Sequence, residues 1–197
     1  MARLLVGVDE AGRGPLAGPV SVGAVIVSQR FDVMQAFPDV KDSKLLTAAK
    51  REEIYEEIRL RTEAGDIRFC VRFSKNSYID AFGITKAVHR AIASGVRALA
   101  GRGEGVHVFL DGLLHAPLQY EQETIIHGDA LVPIISLASV VAKVRRDRLM
   151  RRLARSFPNY GFEQHKGYAT KQHYVAIERF GLCAIHRKTY CRELREG

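Results

Sequence analysis

Residues 4–15, Leu-Leu-Val-Gly-Val-Asp-Glu-Ala-Gly-Arg-Gly-Pro, constrain the fold more than any other stretch of the chain. A continuous apolar run of this kind makes a buried strand. This one delivers two adjacent acids, Asp9 and Glu10, at its end and then breaks into a glycine-bracketed arginine. Burying a carboxylate is costly unless it is paired or bound to a cation. Two acids at the mouth of an apolar strand therefore point to a metal, a substrate cation or proton transfer; the plainer alternative is an acid that caps the next turn. Gly12 and Gly14 let the backbone come close to a ligand, and Arg13 offers a fork that matches phosphate.

The rest of the chain supplies a sheet and its covering helices. Val20–Val27 is rich in β-branched residues and follows closely enough for an antiparallel pair. Thr47 can cap a helix with Ile54, Tyr55, Ile58 and Leu60 on one face. Residues 66–74 alternate, with Ile67, Phe69, Val71 and Phe73 on one side, so three strands read as a meander. Residues 76–100 are helical, with Gly83 and Gly95 as weak points, and Gly101–Gly105 is a helix-to-strand turn. Val106–Leu110 is a buried strand ending at Asp111-Gly112, reached by a parallel crossover, and Gln122–His127 forms one more short strand. The longest helix spans Ile134–Phe157, its arginines on the solvated faces and Asp147 as their ion-pair partner. A last helix runs from Thr170 to about Phe180. One α/β domain is expected, with no repeat or composition break to mark a second.

Charge is distributed unevenly. Of the net +8, residues 1–129 carry 16 Lys+Arg against 17 Asp+Glu, a balance of −1, and residues 130–197 carry 14 against 5, a balance of +9. A localised positive field suits a polyanion, nucleic acid above all; the plainer reading is a basic surface with no partner. Cys70, Cys183 and Cys191 form no Cys-x-x-Cys pair, and Cys183, His186 and Cys191 match no standard zinc spacing. Met1-Ala2-Arg3 leads into the first strand without a signal pattern, and no apolar run is long enough to span a bilayer, so a cytoplasmic protein is expected.

Asp9, Asp111 and Asp129 stand at comparable places, two at strand ends and one before the long basic helix. If the first and fourth strands are parallel neighbours, Asp9 and Asp111 emerge about 5 Å apart, where ligands bind open α/β sheets. Successive strand residues face opposite ways, so Asp9 and Glu10 share a site only if the strand bends, as Gly12 would permit. Hard oxygen donors suit Mg²⁺ or Mn²⁺, and carboxylates beside a basic surface suit phosphodiester hydrolysis with two ions about 4 Å apart.

Seven motifs in order, VDEAGRGPLAGPV, DSK, LDG, GDA, ASVVAKVRRDRLM, HKGYATKQH and IHR, resemble those of the bacterial ribonuclease HII family over nearly the whole chain. The resemblance implies the ribonuclease H-like fold, a five-stranded mixed sheet flanked by helices, with residues 158–197 as a helical substrate-binding appendage. It implies that Asp9, Glu10, Asp111 and Asp129 are the metal-binding catalytic acids, Asp9 bridging two Mn²⁺ or Mg²⁺ ions. It implies that Gly12, Arg13 and Gly14 read the ribose 2′-hydroxyl and that Tyr168 stacks at the following deoxyribose. Ser43, Lys44, Ser139, Lys143 and Lys166 match positions near the phosphates. The implied enzyme is a monomer that cleaves RNA–DNA hybrids, and duplex DNA on the 5′ side of a single ribonucleotide, leaving a 3′-hydroxyl and a 5′-phosphate. It would serve ribonucleotide excision and primer removal. Leu45 and Cys183 depart from the family pattern, and no role follows for His186. A resolvase-like nuclease on the same fold and a non-catalytic nucleic-acid-binding module remain as alternatives.

Overall fold

The computed structural model describes residues 3–42, 46–101 and 103–192. Ser43, Lys44 and Leu45 lie outside the described residues. In chain order the elements are β1 (Leu4–Ala11), β2 (Val20–Ser28), α1 (Val33–Ala36), α2 (Ala48–Glu63), β3 (Ile67–Ser74), α3 (Asn76–Phe82) and α4 (Ile84–Ala100). There follow β4 (Val106–Asp111), β5 (Glu121–Ile125), α5 (Gly128–Leu131), α6 (Pro133–Ser156), α7 (Phe162–His165) and α8 (Lys171–Phe180). The sheet has the order β3-β2-β1-β4-β5. β1, β2 and β3 form the expected antiparallel meander, and β4 joins β1 in parallel, with β5 parallel beyond it.

Strand alternation divides the core between the two faces. Val6, Val8, Val22 and Val108 pack with Val88 and Ile92 of α4. Val25, Val27 and Ile67 pack on the other face with Ile54 and Ile58 of α2 and Leu137, Val140 and Val141 of α6. Gly7 and Gly23 allow α6 to lie directly on the strands. A Cβ at Gly7 would stand 2.2 Å from the Ile134 carbonyl oxygen, and one at Gly23 2.2 Å from that of Ala138. Such glycines in strands mark close backbone approach rather than weakness.

Caps and breaks follow local chemistry. Thr47 accepts the Lys50 N–H and Thr170 accepts the His173 N–H, each opening its helix as expected. The helical region 76–100 is two helices, because Gly83 adopts φ +82 between them, whereas Gly95 passes through α4 uninterrupted. Leu60 is not on the buried face of α2; it is 60% exposed, because the helix meets α6 and β3 along Ile54, Tyr55 and Ile58. Phe73 is likewise exposed, lying near the end of an edge strand.

The carboxyl-terminal segment is stitched into the body. Asn76 donates to the carbonyls of Ala184 and His186 at 3.0 Å, and Asp80 accepts the Lys188 and Thr189 N–H groups. Inside it, His165 and His173 stack with centroids 4.5 Å apart, and His173 Nε2 lies 3.0 Å from His186 Nε2. His186, which the motif left without a role, is thus a buried structural group. Burial first of all lowers the pKa of all three imidazoles, that of His173 to about 4.

Two outcomes are expected. Gly7→Ala costs about 2–3 kcal/mol, because helix backbone must move, whereas Gly14→Ala, which meets nothing within 4 Å, stays within about 0.5 kcal/mol; urea denaturation reads both. Unfolded, His173 takes up a proton near pH 6.5; folded, it does so only near pH 4. This contribution is therefore complete above pH 6.5 and is lost as pH falls toward 4, about 2 kcal/mol by pH 5. His173→Gln, though less stable at pH 7.5, shows a smaller drop between pH 7.5 and 5.

Candidate active site

The registers β1 with β4 run from Leu4 opposite Val106 to Val8 opposite Leu110, so the next pair along is Asp9 and Asp111. β1 itself continues, paired to β2, through Glu10 and Ala11. Asp9 and Glu10 therefore both lie within the strand, and both line the cleft. Pairing with β4 has ended beside them, so both faces of β1 open into one cleft of about 430 Å³. Its lining includes Asp9, Glu10, Asp111, Ser139, Lys143 and Tyr168, together with the Gly12-Arg13-Gly14 loop. A cleft of about 480 Å³ at Arg72 and Arg90 carries no carboxylate in its lining.

Electrostatics set this cleft apart. Burial, then the charges of Glu10 and Asp111, raises the Asp9 pKa well above the usual carboxylate range, while the Ser139 hydroxyl donates to it and partly offsets the rise. Burial also raises Glu10, opposed by Arg13, whose guanidinium stands 3.4 Å from Glu10 Oε1, and reinforced by Asp111. Glu10 Oε2 is buried without a hydrogen-bond partner. An orphaned carboxylate oxygen among mutually repelling acids is a fitting donor set for a hard divalent cation. Among the described residues, no three His, Cys, Asp or Glu side chains already converge as a closed ion cage. Asp129 is buried in the first turn of α5, and its N–H donates to Asp111 Oδ1 at 3.4 Å. His127 precedes it at the cap position of that helix.

The remaining expected residues are placed unequally. Tyr168 is 41% exposed at the cleft edge, its ring 5.9 Å from Lys143 Nζ and 5.8 Å from the Arg146 guanidinium. Lys143 donates to Asp147 at 2.8 Å, so the partner of Asp147 is this lysine rather than an arginine. Lys166 does not line the cleft; its ammonium is turned to the carbonyls of Glu163 and Gln164. Arg51 lines the cleft although no motif marked it.

Arg146 and Arg187 were also unforeseen in this setting. Both are fully buried, Arg146 against the expectation of a solvated arginine face on α6. Arg187 donates to the carbonyls of Gly12, Arg13 and Gly18, and Arg146 to those of Ala17, Pro19 and Lys166. With Gly12 at φ +90, a Cβ there would stand 2.0 Å from Arg146 Nε. The two guanidiniums hold the loop from behind by its carbonyls. Burial, then Arg146, brings the Arg187 pKa down to about 10. The row Ala142-Arg146-Met150-Ala154, buried at spacings of four, was the available signal for Arg146.

The sheet order and the acid cleft define the class, a ribonuclease H-like α/β protein with carboxylates gathered at the carboxyl ends of β1 and β4. The family model described as Ribonuclease HII matches residues 6–193, a span that includes all seven motifs. Ribonuclease HII of Syntrophus aciditrophicus is 43% identical over 188 residues, covering 95% of this chain and 84% of that protein. That of Acidovorax sp. JS42 is 44% identical over 189 residues, covering 95% and 85%. The RNase HII chain in the PCNA:RNase HII complex of Archaeoglobus fulgidus superposes with a TM-score of 0.77 at 24% identity, covering 98% of this chain and 97% of that one. Bst-RNase HIII in complex with Mn²⁺ gives 0.66 at 16% identity, covering 99% and 71%. This chain belongs to the ribonuclease HII family.

Because folding raises the Asp9 pKa, the folded chain binds the proton more tightly than the unfolded one. Stability is therefore lost as pH rises from the unfolded value through the folded one. Asp9→Asn is expected to raise stability at pH 7.5 in chelator by about 1–3 kcal/mol, with the gain shrinking as pH falls; urea titrations at several pH values check it.

Proposed function

We propose that this chain is an endoribonuclease that cleaves the RNA strand of RNA–DNA hybrids and cuts duplex DNA on the 5′ side of a single ribonucleotide. The observation that carries the reading is the meeting of three coupled, partly unneutralised carboxylates with a Gly-Arg-Gly loop in one cleft. Family membership supports it, since the relatives are named Ribonuclease HII.

Asp9, Glu10, Asp111 and Asp129 would hold the divalent ions, Mg²⁺ or Mn²⁺. Bound there, a pair of ions supplies an activated water and stabilises charge on the leaving oxygen. In the overall reaction water adds to phosphorus, the bond to the 3′-oxygen breaks, and that oxygen leaves protonated as a 3′-hydroxyl beside a 5′-phosphate.

Ser139 holds the Asp9 carboxylate in place by donating to it. With the carbonyls of Gly12 and Arg13 engaged by Arg187, the loop is fixed for its outward groups to meet a ribose. The 2′-hydroxyl is the group that separates RNA from DNA at such a position. Tyr168 offers a ring face to the next sugar, Lys143 a cation to the phosphate, and the segment from residue 158 onward brings Tyr168 to the cleft. One chain supplies all four acids and the loop, which supports action as a monomer. Cys70 and Cys183 are free thiols, which suits the reducing cytoplasm, and no helix among the described residues is long and apolar enough to cross a membrane.

A labelled duplex with one ribonucleotide tests the reading. It is expected to be cut once, 5′ of the ribonucleotide, in Mn²⁺ or Mg²⁺ and not in EDTA, while all-DNA duplexes and four-way junctions stay intact. Asp9→Asn and Asp111→Asn should each lower turnover by roughly 10²–10³-fold or more, with duplex binding retained; turnover near wild type in either would refute the assignment.

A further inference from the structure

We propose that the arginines on the carboxyl-terminal half of α6 form a distal subsite for the phosphate backbone of the same duplex whose cleavage is proposed above. The inference rests on that reading. Arg145, Arg148, Arg151, Arg152 and Arg155 together line a cleft of about 410 Å³. Their spacings of three and four make them neighbours on the helix surface. Like charges at such spacings oppose one another, and no acid or apolar side chain contributes to this lining. A regular array of phosphates answers that arrangement. A peptide would need somewhere to seat its side chains, which a wall of guanidiniums does not offer.

The surface is also built rather than loose. Arg145 donates to the hydroxyl of buried Tyr55 at 3.2 Å, and Arg148 lies over the same ring, 4.6 Å from its centroid. Arg148 donates further to Glu52 and Glu56, and Arg151 to Glu52 at 2.7 Å. Three of the five forks are thus oriented in advance by α2, which lowers the ordering cost of binding. Arg152 and Arg155 are exposed, and among the described residues neither is paired with an acid.

The patch continues the wall of the acid cleft. Arg51, next to Glu52, lines that cleft, as does Lys143. Lys143, Asp147, Arg151 and Arg155 follow one another at intervals of four along α6, and the first three act electrostatically on Lys166. From Lys143 to Arg155 the helix rises about 18 Å, the length of about 5 base pairs at 3.4 Å each. A duplex cut in the acid cleft and lying along α6 would bring its phosphates to these arginines about 5 base pairs away.

The test uses the full chain and duplexes with one central ribonucleotide, binding being followed by fluorescence anisotropy in EDTA and cleavage in parallel in Mn²⁺. Each arm is shortened separately from ten base pairs to three. Shortening one arm, and only one, should weaken wild-type binding roughly 10-fold. R152A/R155A should lose that dependence, with a slope of log affinity against log salt shallower by about 1.8, two phosphate contacts' worth. Alanine keeps the helix, which circular dichroism verifies. The proposal is overturned by an arm effect equal in variant and wild type, equal on the two sides, or accompanied by an unchanged salt slope. An intact arm effect with no cleavage by the wild type would instead sink the catalytic reading and leave the polyanion surface standing.

Discussion

Helix α6 lies so close on the sheet that only hydrogen atoms fit between it and Gly7 or Gly23, and the site is arranged from that contact. The helix passes over β1 at Ile134 and over β2 at Ala138, and the Ser21 hydroxyl ties β2 to the Ala142 carbonyl at 3.1 Å. One residue beyond Ala138, Ser139 reaches Asp9; one turn later Lys143 lines the cleft; less than a turn after that Arg146 stands behind Gly12. A single rigid rod thus sets the carboxylate, the neighbouring cation and the glycine loop relative to one another. Held by backbone contact rather than by flexible side chains, this spacing resists drift.

Charge is concentrated at the same place at a cost to stability. Asp9 is buried and Glu10 half-buried with like-charged neighbours, and Arg146 and Arg187 are buried with carbonyl oxygens, not carboxylates, as their hydrogen-bond partners. Neither arrangement is one that folding alone favours. The first is of the kind that a bound cation would offset. The second is answered within the chain, because six backbone carbonyls absorb the two guanidiniums and in doing so fix the loop. The histidine cluster around His173 completes this support by joining α7, α8 and the chain near His186 through neutral, buried rings.

Much of this was legible along the chain. The apolar run into Asp9, the alternation in β3 and the Thr47 and Thr170 caps follow local rules with short range, and each element formed where those rules put it. The errors have a common origin. Leu60 fits the helical period yet is exposed, and Arg146 looks like one of a solvated series yet is the most enclosed of them. Periodicity reports which residues share a face, but not how far the neighbouring layer extends over it. The opening of the cleft is likewise set by a neighbour, since β4 stops pairing beside Asp9 while β1 runs on to Ala11.

By itself, the order of residues determined the strand carrying Asp9 and Glu10, the parallel return that brings Asp111 beside it, the excess of cations in the last third and the family to which the motifs belong. Those properties reside in local propensity, hydrophobic period and composition, which need no knowledge of distant neighbours. Only the tertiary structure decided that Arg187 holds Gly12 and Arg13 from 175 and 174 residues away, that Arg51 joins the cleft and that Lys166 turns away from it. Contacts between segments so far apart depend on how the layers stack, and stacking is settled by the whole chain at once.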